Sequence, residues 1–391
     1  MKPLLADLLH EATQLTRSGH LLQATQAIQR ALSGLPAAAG ATSSAAVSPA
    51  AAGRLPSAAA PCAQVLEGFV TEVEAPQASD LLRHAHRGAG EFIAGSHHHA
   101  ALTRAYKLYV PPGAAGRCLP LVLMLHGCTQ DPDDFAAGTA MNDRAREMGF
   151  FVLYPAQSPS ANASRCWNWF KHNHQQRGSG EPALIADLVR TLIEAHGIDA
   201  RRVYVAGLSA GAAMAAIVAA AYPEVFAAVG VHSGLPLGAA GNVSEALAAM
   251  RGGGGDGAGL HNPARGRRAA AAALTPPPQV PTIVFHGDQD TTVHPRNGEQ
   301  VIGAALRAAA DPAGAVAAAQ VQQGASGRGR RWTRTTYPGP QGRLLAEHWL
   351  VHGAGHAWSG GQAGGSFTDV DGPDATREML RFFFAHPQRT V

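Results

Sequence analysis

The sequence predicts an α/β architecture, a mostly parallel central sheet with helices on both faces, and three observations carry that prediction. Short runs that are apolar throughout recur along the chain, such as LPLVLMLH (119–126), RRVYVAG (201–207) and PTIVFHGDQD (281–290). Stretches with helical spacing separate them, as in PALIADLVRTLIEAHG (182–197), where Leu184, Ile185, Leu188 and Leu192 share one face. A strand apolar on both sides has to be covered from above and below, which is the condition of a parallel sheet wrapped in helices.

Taken in order, residues 3–32 read as a helical hairpin. Leu4, Leu5, Leu8 and Leu9, then Leu21, Leu22, Ala27 and Ile28, fall near helical spacing, with Ser18-Gly19 as the break. Such a pair can dock on a larger domain or mediate self-association. Residues 33–88 form an Ala/Pro/Gly/Ser-rich linker and lead-in, poor in large apolar side chains up to residue 62. The α/β domain then covers 89–391. Its first strand is expected near Tyr106 (YKLYVPPG), followed by strands in 119–126, 150–157, 201–207, 226–234, 281–290 and 347–355. Residues 236–280 and 311–330, rich in Gly, Arg, Ala and Pro, read as surface insertions or loops, and the arginine run at 328–334 as a solvated loop.

Composition narrows the function. The 31 basic and 28 acidic residues leave a net charge of only +3, spread along the chain, which is no footprint for nucleic acid. No apolar run reaches the ~18–20 residues that span a bilayer. The amino terminus, where Asp7 and Glu11 interrupt the apolar positions, is not a clear secretory signal. Four cysteines (Cys62, Cys118, Cys128, Cys166) are too few for a disulfide-built fold.

In an open parallel sheet, reactive groups collect where strands end. After VYVAG comes Gly207-Leu208-Ser209-Ala210-Gly211, a G-x-S-x-G turn with a strand before it and a helix after it. Ser209 is either the cap of that helix or a nucleophile, and a serine hydroxyl attacks only when a histidine takes its proton and a carboxylate orients that histidine. His356, in a Gly-rich loop after the last strand, is the base expected; His352 and His348 are closer to or within that strand and read as structural. The turn HGDQDTTV offers Asp288, which can close its own turn, and Asp290, which stands further out and is taken as the acid. The order Ser, Asp, His is that of α/β-hydrolases. His126-Gly127-Cys128, after LVLML, fits the second requirement, a pair of backbone N–H donors for an oxyanion. One donor would be Cys128 and the other Ala210. His126 is read as bonding the loop backbone in the lining of the substrate site.

The motifs LMLHGCTQDPDDF, CWNWF, AGLSAGAAM, FHGDQDTTVHPRN and VHGAGHAWSGG resemble the polyhydroxybutyrate depolymerase family of esterases, related to feruloyl and acetylxylan esterases, over residues 90–386. The resemblance implies Ser209 as nucleophile, Asp290 as acid, His356 as base and backbone donors at Cys128 and Ala210. It suggests that Trp167 lies near the substrate, the alternative being a core tryptophan; Trp358, close behind His356, is assigned to the same lining. It also supports a disulfide between Cys128 and Cys166 in an oxidising compartment, against two reduced buried thiols. Cys62 and Cys118 receive no role. Secreted family members carry a signal peptide and many polymer-degrading ones a separate polymer-binding domain; neither is read in this chain, so the compartment is left open.

The expected function is a serine carboxylesterase acting without metal or organic cofactor on 3-hydroxybutyrate-type esters or oligomers. The alternatives are a feruloyl or acetylxylan esterase and a non-catalytic binding protein on a hydrolase fold. No P-loop, dinucleotide fingerprint or HExxH zinc motif is present.

Overall fold

The apolar runs become the central strands of one ten-stranded sheet. A computed structural model describes residues 88–252, 280–309, 318–339 and 343–388. The helical hairpin expected at 1–32, the linker up to residue 87, Cys62 and the self-association assigned to the hairpin lie outside the described residues. So do 253–279 and 311–317 of the two expected insertions.

The strands are β1 (Glu91–His99), β2 (Leu102–Val110), β3 (Leu121–Leu125), β4 (Phe151–Pro155), β5 (Val203–Leu208), β6 (Ala228–His232), β7 (Thr282–Gly287), β8 (Gln320–Ala325), β9 (Arg331–Pro338) and β10 (Leu344–Val351). Their order across the sheet is β1-β2-β4-β3-β5-β6-β7-β10-β9-β8. The stretch from β4 to β10 is parallel throughout, while β1 and β2 at one edge and β9 and β8 at the other are antiparallel. Two short strands, β11 (Trp358–Ser359) and β12 (Thr368–Asp369), pair separately.

The helices among the described residues are α1 (Pro132–Thr139), α2 (Met141–Met148), α3 (Gly180–His196), α4 (Ala210–Ala221), α5 (Val243–Met250), α6 (Arg296–Ala309) and α7 (Ala375–Phe384). Strand side chains alternate between faces, and β3 shows the consequence. Leu121, Leu123 and Leu125 enter a core with Leu184 of α3, Met214 of α4 and Val301 of α6. Val122 and Met124 enter the opposite core, with Phe135 of α1, Met141 of α2 and Phe383 of α7. Both faces are covered, which explains the continuously apolar runs.

The edges depart from expectation. The first strand pair begins well before Tyr106, with β1 and the start of β2. Part of 311–330 is the strand β8, and most of the arginine run belongs to β9 rather than to a loop. These strands lie at the rim, where one or both faces meet water, so polar side chains such as those of QVQQGA concealed them. Residues 236–252 also hold a helix, α5, capped by the Asn242 side chain on Glu245 N–H at 3.0 Å.

Chain order reverses between β3, whose successor β4 lies to one side, and β5, which lies to the other. That crossover leaves a crevice at the carboxyl ends of the two neighbouring strands. Ser209 and the His126-Gly127-Cys128 turn stand there.

Candidate active site

Ser209 is the single residue between β5 and α4, with φ 57° and ψ −120°. A side chain in the left-handed region costs about 1–3 kcal/mol, and this is the strained elbow that lifts a serine above the sheet. Its N–H donates to the His232 carbonyl at 2.9 Å, tying it to β6. The two glycines are required by close approach. A methyl at Gly207 would strike the backbone of Gly211, and one at Gly211 would strike the carbonyls of Leu125 and His126. The first turn of α4 is thereby pressed against the end of β3.

Asp290 and His356 meet at 2.7 Å, Oδ2 to Nδ1. The Asp290 side chain is fully buried and that of His356 is 12% exposed. Asp290 Oδ1 accepts the N–H groups of Thr292 and Val293 at 2.9 and 2.8 Å. Burial works to raise its pKa, but the bonds from His286 and His356 and the Val293 N–H outweigh burial and hold the carboxyl well below its usual range. An ionised Asp290 can only accept, so His356 carries its proton on Nδ1. Its Nε2 has no hydrogen-bond partner among the described residues.

The neighbouring pair is wired differently. Asp288 Oδ2 meets His352 Nδ1 at 2.9 Å, and Asp288 Oδ1 accepts Gly353 N–H at 2.7 Å. The second ring nitrogen of His352 is occupied by the Thr333 hydroxyl at 2.8 Å, from β9. Both ring nitrogens of His352 are therefore engaged by neighbouring side chains. His348 lies inside β10, its pKa pushed down to about 4 by burial, and stays a neutral core group.

The loop after β3 lies beside the serine: a Cβ built on Gly127 would be 3.6 Å from Ser209 Cβ. The Cys128 N–H takes no intramolecular partner among the described residues. Ala210 N–H, in the first turn of α4, has no intrahelical acceptor. Cys128 and Cys166 are joined by a disulfide, which links this loop to the 166–170 segment, and Cys118 is an exposed free thiol.

His126 is buried and both of its nitrogens serve the loop. Nε2 accepts Gln157 N–H at 3.1 Å, so Nδ1 holds the proton and donates to the Gly127 carbonyl at 2.7 Å. Burial lowers its pKa, keeping that tautomer neutral. Glu181, which the sequence reading did not single out, underlies the same region. It is fully buried, accepts from Arg104, Gln157 Nε2, Asn168 N–H and Asn168 Nδ2, and thus ties β2, the chain after β4 and the CWNWF segment together. Burial opposes its charge, but hydrogen bonds from His174, Gln157 and Asn168 N–H win and its pKa falls to about 2.

Of the lining expected from the sequence, Trp358 is corrected, Trp167 takes its alternative reading as a core tryptophan, and His126 bonds the loop backbone as read but is buried away from a substrate surface. Trp167 is fully buried and donates its Nε1–H to the His126 carbonyl at 3.1 Å. Trp358 is buried against His232 and Phe135 and donates to Thr376 Oγ1 at 3.0 Å. His126 spends both nitrogens on backbone groups. All three shape the loops from beneath and present no surface to a substrate. Among the described residues no helix is long and apolar enough to cross a membrane, and no group of three His, Cys, Asp or Glu is placed to hold a metal ion.

Residues 104–326 match the family model described as Esterase PHB depolymerase. The chain is 36% identical over 197 residues to poly(3-hydroxyalkanoate) depolymerase C of Paucimonas lemoignei, covering 50% of this chain and 46% of that protein. It is 31% identical over 194 residues to a probable acetylxylan esterase A of Aspergillus fumigatus, covering 49% and 51%. The chain thus spans about half the length of the curated relatives it matches. Among solved structures, the acetyl xylan esterase from Aspergillus awamori covers 76% of this chain and 100% of its own, with a TM-score of 0.55 at 21% identity, a likeness of fold. The fold is that of the α/β-hydrolases, and the chain belongs to the Esterase PHB depolymerase family.

Proposed function

We propose that the protein hydrolyses carboxylic esters through an acyl-Ser209 intermediate, with His356 as base, Asp290 as its orienting acid, and the N–H groups of Cys128 and Ala210 as oxyanion donors. The observation that carries this reading is the buried Asp290–His356 bond, which leaves His356 Nε2 as the free basic nitrogen. Ser209 Oγ attacks the ester carbonyl as its proton passes to Nε2, and the carbonyl oxygen gains negative charge between the two N–H donors. Collapse breaks the C–O bond, and the imidazolium returns the proton to the departing alcohol. Water then repeats the sequence on the acyl-enzyme and releases the acid.

The substrates are short 3-hydroxybutyrate-type esters or oligomers, by analogy with the depolymerase relative. A second reading, acetyl or feruloyl esters of plant-wall material, rests on the relatives named acetylxylan esterase and feruloyl esterase B. Adsorption to a solid needs an exposed apolar patch, and Trp167, Trp169 and Trp358 are all buried, so solid polymer is expected to be a poor substrate. A fluorophosphonate probe should label the protein and fail to label Ser209→Ala. Hydroxybutyrate oligomers, acetylated xylan and methyl ferulate, assayed side by side, then rank the substrate classes. Absence of labelling would favour the non-catalytic reading, and clearing of crystalline polyhydroxybutyrate as fast as oligomer hydrolysis would overturn the expectation for polymer.

A further inference from the structure

Phe367 combines two features that packing does not explain. Its ring is 45% exposed, and its backbone is left-handed, φ 52°, an outlier for a bulky side chain. Such strain persists only where surrounding structure enforces it, and it gathers at functional sites. Among the described residues Thr129 after Cys128, Ser209 and Ser233 at the end of β6 share the property, as do Ala100, Ala140 and Arg165 elsewhere.

The enforcing contacts come from the site itself. Ser366 N–H donates to Asp134 Oδ1 at 2.7 Å, and the Ser366 hydroxyl donates to Oδ2 of the same carboxylate. Gln130 Nε2 donates to the Ser366 carbonyl at 3.1 Å, while Gln130 Oε1 accepts Gly127 N–H at 2.9 Å, beside Ser209. On the other side, the Phe367 carbonyl accepts Trp358 N–H at 2.6 Å, two residues beyond His356. Gly365 presses on the backbone of Gly138 in α1 so closely that any side chain would collide. The segment is fixed at both ends, one end on the oxyanion loop and the other on the loop of the base. What it leaves uncovered is an aromatic ring.

We infer that Phe367 is a specificity-determining contact, an exposed apolar face anchored between the loop of Gly127 and the loop of His356 that packs against the hydrocarbon part of the ester. The inference rests on the reading of Ser209, His356 and Asp290 as the reactive groups. A rigid ring already held in place loses no conformational freedom when a chain packs on it, so each added methylene raises the specificity constant as long as the ring is reached.

The test uses Phe367→Gly and Phe367→Leu in the full chain, with two substrate series: p-nitrophenyl esters from acetate to octanoate, and acetates of alcohols of increasing length. Glycine suits the left-handed backbone, so Phe367→Gly is expected to keep or raise the melting temperature. In that variant the preference in kcat/KM for longer over shorter chains should fall about tenfold in at least one series. Leucine should restore part of the preference. A folded Phe367→Gly protein that reacts with the fluorophosphonate probe and keeps the parent's profile in both series would overturn the inference alone. An unmodified chain that neither labels nor hydrolyses any ester would overturn the Ser209 reading and this inference with it.

Discussion

Two aspartate–histidine pairs arise from the same two loops, two and four residues apart, and the molecule treats them differently. Asp290–His356 is closed to solvent on the acid side and 12% exposed on the base side, whereas Asp288–His352 is 28% and 29% exposed. The bond lengths, 2.7 and 2.9 Å, do not separate them. What separates them is the other nitrogen: Thr333 occupies it in His352, and nothing among the described residues occupies it in His356. In the proposed mechanism the base is the histidine whose second ring nitrogen is left unengaged among the described residues. Asp288, bonded to Gly353 N–H as well as to His352, serves to fasten the loop on which His356 stands.

The largest expected effect puts that contrast to the test. Asp290→Asn should lower kcat by about 10⁴, because the Thr292 and Val293 N–H groups keep the amide oxygen and leave the NH2 donor facing Nδ1, which forces the wrong tautomer. Asp288→Asn should cost less than about tenfold, through looser loop geometry alone. Burst-free steady-state kinetics on one soluble ester decide it, and equal losses in the two variants would dissolve the distinction between the pairs.

Glu181 sharpens the same point from another side, since its side chain is as buried as that of Asp290 but is spent on tying β2, the chain after β4 and the CWNWF segment together. Its pKa of about 2 lies below the ordinary glutamate value, so the folded state binds its proton less readily than the unfolded one. Its contribution is complete above about pH 4.5 and is lost as pH falls towards 2, with a total of roughly 3 kcal/mol. Glu181→Gln should accordingly be less stable than the parent at pH 7 by an amount of that order, and the gap should close across pH 4.5 to 2 in urea titrations. A gap unchanged over that range would mean that the hydrogen bonds, and not the charge, hold the network.

How far the sequence reveals this molecule follows from where each signal is carried. The parallel strands were legible because burial on both faces leaves apolar runs such as LVLML and VYVAGL that no loop would have. Ser209 was legible because its glycines answer local collisions, at Gly211 with Leu125 and His126. The edge strands β8 and β9 were not, because rim strands tolerate Gln, Arg and Thr. Trp358 was misread, and Trp167 left between two readings, because adjacency to reactive residues in sequence does not say which way a ring turns. Both turn inward, to the His126 carbonyl and to Thr376. Glu181 escaped notice because its partners are 7 to 77 residues away, and nothing in GEPALIADL marks its carboxylate as buried. The only advance sign would have been its position in the first turn of a helix otherwise apolar there, at Pro182, Ala183 and Leu184.

The smallest expected effect concerns the outer pair taken alone. With both side chains more than a quarter exposed, solvent screens the attraction, and pairs of this kind contribute about 0.2–1 kcal/mol. A double-mutant cycle of Asp288→Asn and His352→Ala should return a coupling in that range, with the remaining loss in Asp288→Asn assigned to the Gly353 N–H. The coupling should shrink as salt is raised. Asp290→Asn and His356→Ala, measured by activity rather than stability, should show the opposite behaviour. Once either is present the other should add little, because the two act as a unit on one proton. A strong coupling in the outer pair, or additive losses in the inner one, would reverse the roles that burial and the free nitrogen give them.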